Sequence, residues 1–361
     1  MAERSRYLRR AGAGVALLAL VGCLAVTTRG VVGALTTAAG PVTAPHPSAS
    51  PSPSAATGIR LRGGRIVEAD GHDLVLRGIN HPYAWFRTEN RAFGDIRATG
   101  ANSVRVLLTS GQRWPATSTA EVASAISRCR RNRLICVLDV HDTVGFGELG
   151  GTATLAQAVD YWLRIKPALI GQENYVIVNL GDEPYGSHHA YTWVADTTAA
   201  IHRLRAAGLR HALMVDAPDW GQDDSYTMRD NASAVLAADP LGDTIFSVHM
   251  YGVFNTASKV RNYLASYVRR GLPLVVGEFG YRHTYGIPDA DAIMKYAQAD
   301  RIGYLGWSWS GNDPLVEYLD MVKDFDAHRR TWWGNRFITG PNGLSTTSEE
   351  ASVYPRARPG G

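Results

Sequence analysis

The chain has 361 residues, 45% of them hydrophobic and 19% charged, with three cysteines and a formal net charge of +4. This composition supplies a large apolar core and excludes a disulfide-dense miniprotein, a collagen-like repeat and a wholly disordered chain. The positive charge sits at one end. The first 40 residues hold five arginines, one glutamate and no lysine, and the remainder carries 32 basic and 32 acidic residues. A nearly neutral body removes the electrostatic case for nucleic-acid binding and suits a neutral partner.

From the N-terminus, Arg4, Arg6, Arg9 and Arg10 precede an apolar run from Ala11 to Val26, the pattern of an export signal. The run is shorter than the roughly 20 residues of a bilayer-spanning helix. Residues 1–40 are therefore expected to be a signal peptide, with an uncleaved N-terminal anchor as the alternative. Leu20-Val21-Gly22-Cys23 resembles a lipobox that would lipidate Cys23, while Thr37-Ala38-Ala39 offers a small-residue cleavage site. Residues 41–56 form a Pro/Ser-rich linker that cannot bury enough apolar area to fold. The body is expected over 57–338, and the polar stretch 339–361 as a flexible tail.

Inside the body, eight short apolar runs alternate with helical patterns. The runs are Leu74 to Ile79, Ser103 to Leu108, Ile135 to Val140, Tyr175 to Leu180, His211 to Asp216, Thr244 to His249, Leu272 to Gly277 and Tyr304 to Trp309. They are continuous rather than alternating, as in parallel strands buried on both faces. Helical spacing is clear over Ser118 to Arg130, Leu155 to Leu169, Ala190 to Ala207 and Thr256 to Arg270, with Gly208 and Gly271 where two of them should stop. Eight such units predict an α/β fold of the (β/α)8 TIM-barrel type. A doubly wound sheet lacks support, because no GxGxxG follows the first run. A hairpin from Ile59 to Leu74, turning at Asp70-Gly71, is expected to plug the barrel bottom.

Chemistry in such a barrel gathers at the C-terminal strand ends. There the sequence places Asn80 and His81, Arg105, His141 and Asp142, Asp182 and Glu183, Asp216 and Trp220, His249 and Tyr251, Glu278, and Trp307 and Trp309. Glu183 and Glu278 each follow an apolar strand directly, on strands that face one another across the barrel mouth. Two opposed carboxyls suit glycoside hydrolysis, and about 5–5.5 Å between them suits the retaining form. There is no HExxH and no close ligand spacing among the histidines, so neither a metal nor a cofactor is expected. No GxSxG elbow supports an esterase.

The stretches LRGINHPYAW, GANSVRVLL, VLDVHDTVG, NYVIVNLGDEPYG, MVDAPDWGQD, FSVHMY, LVVGEFGYRH and GWSWSGN resemble glycoside hydrolase family 5, and most nearly its bacterial endo-β-1,4-mannanases. The resemblance implies that Glu183 is the general acid/base and Glu278 the nucleophile. It implies that Arg105, His141, His249, Tyr251 and Trp307 complete the active centre, with Tyr251 and Arg105 bonded to Glu278, and that Trp220 and His283 line the cleft. One residue departs from the family pattern: Asp182 stands where an Asn that binds the sugar 2-OH is usual. The substrate implied is a β-linked neutral polysaccharide, mannan first and β-1,4-glucan second. A non-catalytic carbohydrate-binding barrel is the reading that Asp182 alone would favour. A monomer is expected, secreted or held at the cell surface through its N-terminus, with membrane contact only through an uncleaved signal or a lipidated Cys23. Cys129 and Cys136 are either two buried thiols or a disulfide.

Overall fold

The computed structural model describes residues 58–354. The expected signal peptide and linker lie outside the described residues. A short antiparallel hairpin, β1 (Arg60–Arg62) and β2 (Arg65–Val67), comes first. Eight parallel strands follow: β3 (Arg77–His81), β4 (Ser103–Leu108), β5 (Ile135–Val140), β6 (Val176–Asn179), β7 (Leu213–Asp216), β8 (Thr244–Met250), β9 (Leu274–Phe279) and β10 (Gly303–Gly306). They close in chain order, with β10 returning to pair with β3.

Eight helices surround this sheet: α1 (Ala92–Ala98), α2 (Thr119–Arg131), α3 (Leu155–Leu169), α4 (Trp193–Ala206), α5 (Thr227–Ala238), α6 (Ala257–Val268), α7 (Ala290–Ala299) and α8 (Trp332–Thr339). The fold is a (β/α)8 TIM barrel. Local sequence sets the helix ends. Ser118 with Glu121 and Thr154 with Gln157 form reciprocal capping boxes on α2 and α3, and Thr256 caps α6. Gly208 follows α4 at φ 83°, a conformation that costs glycine little.

Alternate residues of the strands point inward. Ile135, Val137, Ile177, Met214, Ile245, Val275 and Leu305 form one buried apolar cluster with Ile59, Ile66 and Leu74 from the hairpin region. The hairpin thus closes the N-terminal end of the barrel. Its turn lies at Gly63-Gly64, φ 58° and 76°, rather than at Asp70-Gly71. A two-residue hairpin loop needs two consecutive positive φ angles, which this pair supplies. Asp70-Gly71 makes the next reversal, before the bridge between Val67 and Asp73. Leu74 and Leu76 belong to the bottom cluster, so the first barrel strand begins later than the apolar run suggests. Cys129 and Cys136 are buried free thiols with Sγ atoms 2.8 Å apart.

The expectation of a flexible tail from residue 339 does not hold as far as Tyr354. A short helix α9 (Leu344–Thr347) follows α8, and Leu344, Ala351 and Tyr354 are buried. Glu350 pairs with Arg97 at 2.5 Å and Arg133 at 2.5 Å. Glu68 accepts the backbone N–H groups of Ser352 and Val353 at 2.7 and 2.8 Å, and the Tyr354 hydroxyl donates to the Leu134 carbonyl at 2.7 Å. Part of the polar composition of this stretch serves contacts with the barrel bottom. Tyr354→Ala, which removes a buried ring and this bond, should lower unfolding stability by about 3 kcal/mol. Urea denaturation checks it, and a loss under about 1 kcal/mol would mean that the segment packs loosely.

Candidate active site

The C-terminal mouth of the barrel is organised around one buried cation. Arg105 lies in the middle of β4, fully buried. Its Nη1 donates to Glu278 Oε1 at 2.6 Å and to Asn80 Oδ1 at 3.0 Å, and its Nε donates to Asn179 Oδ1 at 2.9 Å. Its Nη2 meets Asp182 at 2.8 Å, Asp139 at 3.1 Å and Asp216 at 3.1 Å. Burial alone would weaken the guanidinium's charge, but the four carboxylates hold it well above its ordinary value.

Two imidazoles extend the network. His141 Nδ1 lies 3.1 Å from Asp139 Oδ2 and 3.2 Å from Asp182 Oδ2. Burial opposes its charge, but Asp182 and then Asp139 push it up to about 9. His249 Nδ1 lies 2.8 Å from Glu183 Oε1 and 3.6 Å from Glu278 Oε2, and its Nε2 lies 3.3 Å from Asp216. Against burial, Glu278 and Asp216 hold it well above the usual imidazole range.

Each glutamate is aimed by a backbone irregularity. β8 and β9 pair as Val248 with Val276 and then as His249 with Glu278, which leaves Gly277 as an extra residue. A Cβ at Gly277 would collide with Ser247 Oγ and press on His249 Nε2 at 3.2 Å. Glycine is what lets this bulge turn Glu278 toward Arg105, and the Tyr251 hydroxyl donates to Glu278 Oε2 at 3.0 Å. Glu183 takes φ 37°, a strained angle for a residue with a side chain, while its carbonyl accepts from Gly145 N at 3.0 Å. Burial raises the Glu183 carboxyl; the His249 hydrogen bond opposes this and the charge of Asp182 adds to it. Burial, and then the charges of Asp182 and Glu183, raise the Glu278 carboxyl against the pull of His249 and Arg105, so the two glutamates titrate as a pair that keeps one proton between them.

The sequence model of the family described as Cellulase (glycosyl hydrolase family 5) matches residues 67–313. The chain belongs to glycoside hydrolase family 5. Among its relatives, the mannan endo-1,4-beta-mannosidase of Streptomyces lividans is 52% identical over 334 residues, covering 91% of this chain and 85% of that one. The structure of the mannohexaose complex of Thermomonospora fusca beta-mannanase is 51% identical, covering 82% of this chain and 99% of that one, with a TM-score of 0.80. The beta-mannanase of Streptomyces thermolilacinus with mannohexaose is 48% identical, covering 83% and 99%, with a TM-score of 0.82.

Within this family 5 barrel, Arg105, His141, Asp182, Glu183, His249, Tyr251 and Glu278 form one contact network. Trp307 stacks on His141 with centroids 5.6 Å apart, and its Nε1 donates to Asn312 Oδ1 at 2.8 Å. His283 stacks on Tyr251 at 4.7 Å. Trp220 packs on Gly145, where a Cβ would lie 2.6 Å from its ring, and Gly145 N in turn donates to the Glu183 carbonyl at 3.0 Å. His81 faces away from the mouth and packs among Tyr83, Phe93 and Phe325. Burial without a polar partner pushes it down to about 3.

Sequence reasoning missed Asp139 and Asn179, left Asn80 and Asp216 without a role, and passed over Trp85, which stands edge-on to His141 at 5.6 Å. The signal was the two-residue strand period: Val137, Ile177 and Met214 face inward, so Asp139, Asn179 and Asp216 do as well. Asp139, His141 and Asp182, and likewise Asp182, His249 and Glu278, bring donor atoms within 4.8 Å of one another, a spacing that would suit a metal ion. Arg105 already places a positive charge against Asp139, Asp182 and Glu278.

Arg105→Met would leave four buried carboxylates without their shared cation, and Asp139 and Glu278, already raised by burial, would rise further above their unfolded values. The loss of stability should be about 3–5 kcal/mol near pH 7 and should shrink as falling pH protonates these groups. Thermal unfolding of both proteins at pH 7 and pH 5 measures this. An equal deficit at the two pH values would contradict it.

Proposed function

We propose that the chain is an exported, endo-acting hydrolase of β-1,4-mannan that works by double displacement with retention at the anomeric carbon. The observation that carries the mechanism is the sharing of His249 Nδ1 by Glu183 and Glu278, at 2.8 and 3.6 Å. The facing oxygens can stand no further apart than those two distances laid end to end. Two carboxyls that share one ring nitrogen support the short separation of a retaining pair over the roughly 6.5–9.5 Å that leaves room for a water in an inverting enzyme. The substrate class rests on relatives near 50% identity named as mannanases, two of them bound to mannohexaose.

The surroundings support separate roles for the pair. Glu278 has Arg105, Tyr251 and His249 directed at it, whereas Glu183 has His249 alone. The donors around Glu278 stabilise its ionised form, so the proton that the pair holds into the neutral range resides on Glu183. Glu278 then attacks the anomeric carbon while Glu183 protonates the departing glycosidic oxygen. In the second step Glu183 takes a proton from water, whose oxygen displaces Glu278 and frees the sugar. Trp307, partly exposed beside His141, offers an aromatic face for the apolar C–H side of the sugar attacked.

Asp182 fits this scheme. Its two oxygens meet Arg105 and His141, so its charge is balanced within the network, and it accepts from a sugar hydroxyl without donating. The arginine-led N-terminus supports export, and Cys23 is the residue through which the protein would be held at the cell surface.

Three measurements test these assignments. A reducing-sugar assay should give turnover on mannan, galactomannan and glucomannan and little on carboxymethylcellulose; the reverse order would make the enzyme a glucanase. Glu278→Ala should lower kcat by on the order of 10⁴-fold or more while the fold persists, and retained turnover without an added nucleophile would remove Glu278 from its role. Asp182 raises the carboxyl pair, and activity is lost when rising pH strips the proton from that pair. Asp182→Asn should therefore move the alkaline limb of the kcat/KM profile down, by about one pH unit. A limb that stays in place or moves up would count against this assignment of the proton.

A further inference from the structure

Helix α8 opens with two tryptophans that meet opposite fates. Trp333 is buried, with its Nε1 donating to the Trp307 carbonyl at 2.8 Å and its ring against Phe279 and Phe337, at 5.8 and 5.4 Å. Trp332 is 63% exposed. A single exposed apolar residue is ordinary, but the setting of this one is not. Its ring lies 4.8 Å from that of Tyr281, which also packs on Trp333 at 5.6 Å and meets Tyr318 edge-on at 6.2 Å. The Arg282 guanidinium sits over Tyr318 at 4.9 Å. Aromatic side chains therefore run from Trp333, which grips Trp307, through Tyr281 to Trp332 in solvent.

The backbone beneath Trp332 is held by the same segment that holds Trp307. Thr331 Oγ1 caps α8 by accepting from Gly334 N at 3.1 Å and donates to the Asp320 carbonyl at 2.6 Å. Gly334 lies against the Met321 carbonyl, where any side chain would collide. Asp320 Oδ1 accepts from Asn312 Nδ2 at 2.6 Å, and Asn312 receives the Trp307 indole N–H. An indole presented on so fixed a base loses little conformational freedom when it binds.

We propose that Trp332, with Tyr281 beside it, is a sugar-binding platform outside the catalytic centre that takes one mannosyl unit of a long polysaccharide chain. The apolar C–H face of a pyranose matches the indole face, and Tyr281 extends the aromatic surface toward Tyr318, over which the Arg282 guanidinium sits. A protein partner fits less well. One indole supplies about 150–250 Å², far below the roughly 1,200 Å² of a stable protein interface. Continuity with the Trp307 segment points to the same polymer that enters the cleft. This assignment rests on the mannan reading above.

The test uses affinity electrophoresis in native gels containing soluble galactomannan, with the full-length Glu278→Ala protein as parent so that the gel is not digested. The parent should be retarded. Adding Trp332→Ala should weaken the apparent affinity about three- to tenfold, the scale of one aromatic contact, and adding Trp332→Phe should restore most of it. In the catalytically intact protein, Trp332→Ala should raise KM for galactomannan relative to KM for mannotetraose by a similar factor. Equal retardation of parent and Trp332→Ala would overturn the platform and leave the mannan reading standing. A parent that galactomannan does not retard would overturn the mannan reading, and the platform with it.

Discussion

A guanidinium buried at the centre of a barrel must be surrounded by acceptors, and the geometry of this active centre follows from that requirement. Arg105 takes partners from β3, β5, β6, β7 and β9 and from the turn after β6. Each partner fixes the height and rotation of one strand end. The closed sheet sets the spacing of the strands, and Arg105 sets which of their side chains converge. Glu278 is thereby placed as one acceptor of a shared cation, while the Glu183 side chain is reached, among the described residues, through His249. The asymmetry between the two glutamates, on which the proposed acid and nucleophile roles depend, thus originates on β4, away from either of them.

Such a centre is expensive in isolation. Burying several ions is compensated only when the geometry is good and the remaining donors and acceptors are satisfied. The lower half of the barrel supplies the opposite character, with an interior of Ile, Val, Leu and Met sealed by the hairpin and by Ala351 and Tyr354. Apolar burial at the closed end offsets the strain and desolvation at the open end, and the two are separated by only one step of the strand repeat. Val137 and Asp139, or Met214 and Asp216, are two residues apart and belong to different chemistries.

That short step also explains what was legible in the sequence. Ser103–Leu108 and Ile135–Val140 were readable to the residue because strands buried on both faces are apolar runs with abrupt ends. Glu183 and Glu278 stood out for the same reason, as charges directly after such runs. Asp139 and Asn179 were hidden because a run buried on both sides does not announce which alternate set faces the axis; the two-residue period ties them to Val137 and Ile177, and closure of the sheet turns that set inward. The C-terminal segment was hidden differently. Ser352 finds its partners in Glu68 and Asp70, 284 and 282 residues earlier, and no local pattern carries a contact of that range. The Gly277 bulge belongs to the same class, since its purpose appears only against Ser247 and His249 of the neighbouring strand.

Asp182 shows how one substitution is absorbed by this arrangement. An amide at that position would leave Arg105, His141 and His249 facing four acidic side chains in the network, Asp139, Asp216, Glu183 and Glu278. The carboxylate makes five. The added charge is not screened by water, because Asp182 is 1% exposed, so the neighbours must answer it by holding protons. His141 does so, up to about 9, and Asp139 is pushed up to about 6 by burial with Asp182 adding to it, against the pull of Arg105. The carboxyl pair shares the same response. The substrate is a neutral polymer, so the extra charge neither attracts nor repels it at a distance. Under the proposed mechanism its influence is confined to the network and to the sugar hydroxyl that Asp182 would meet, which would make the residue a means of setting the working pH of the centre while the proposed catalytic pair is kept.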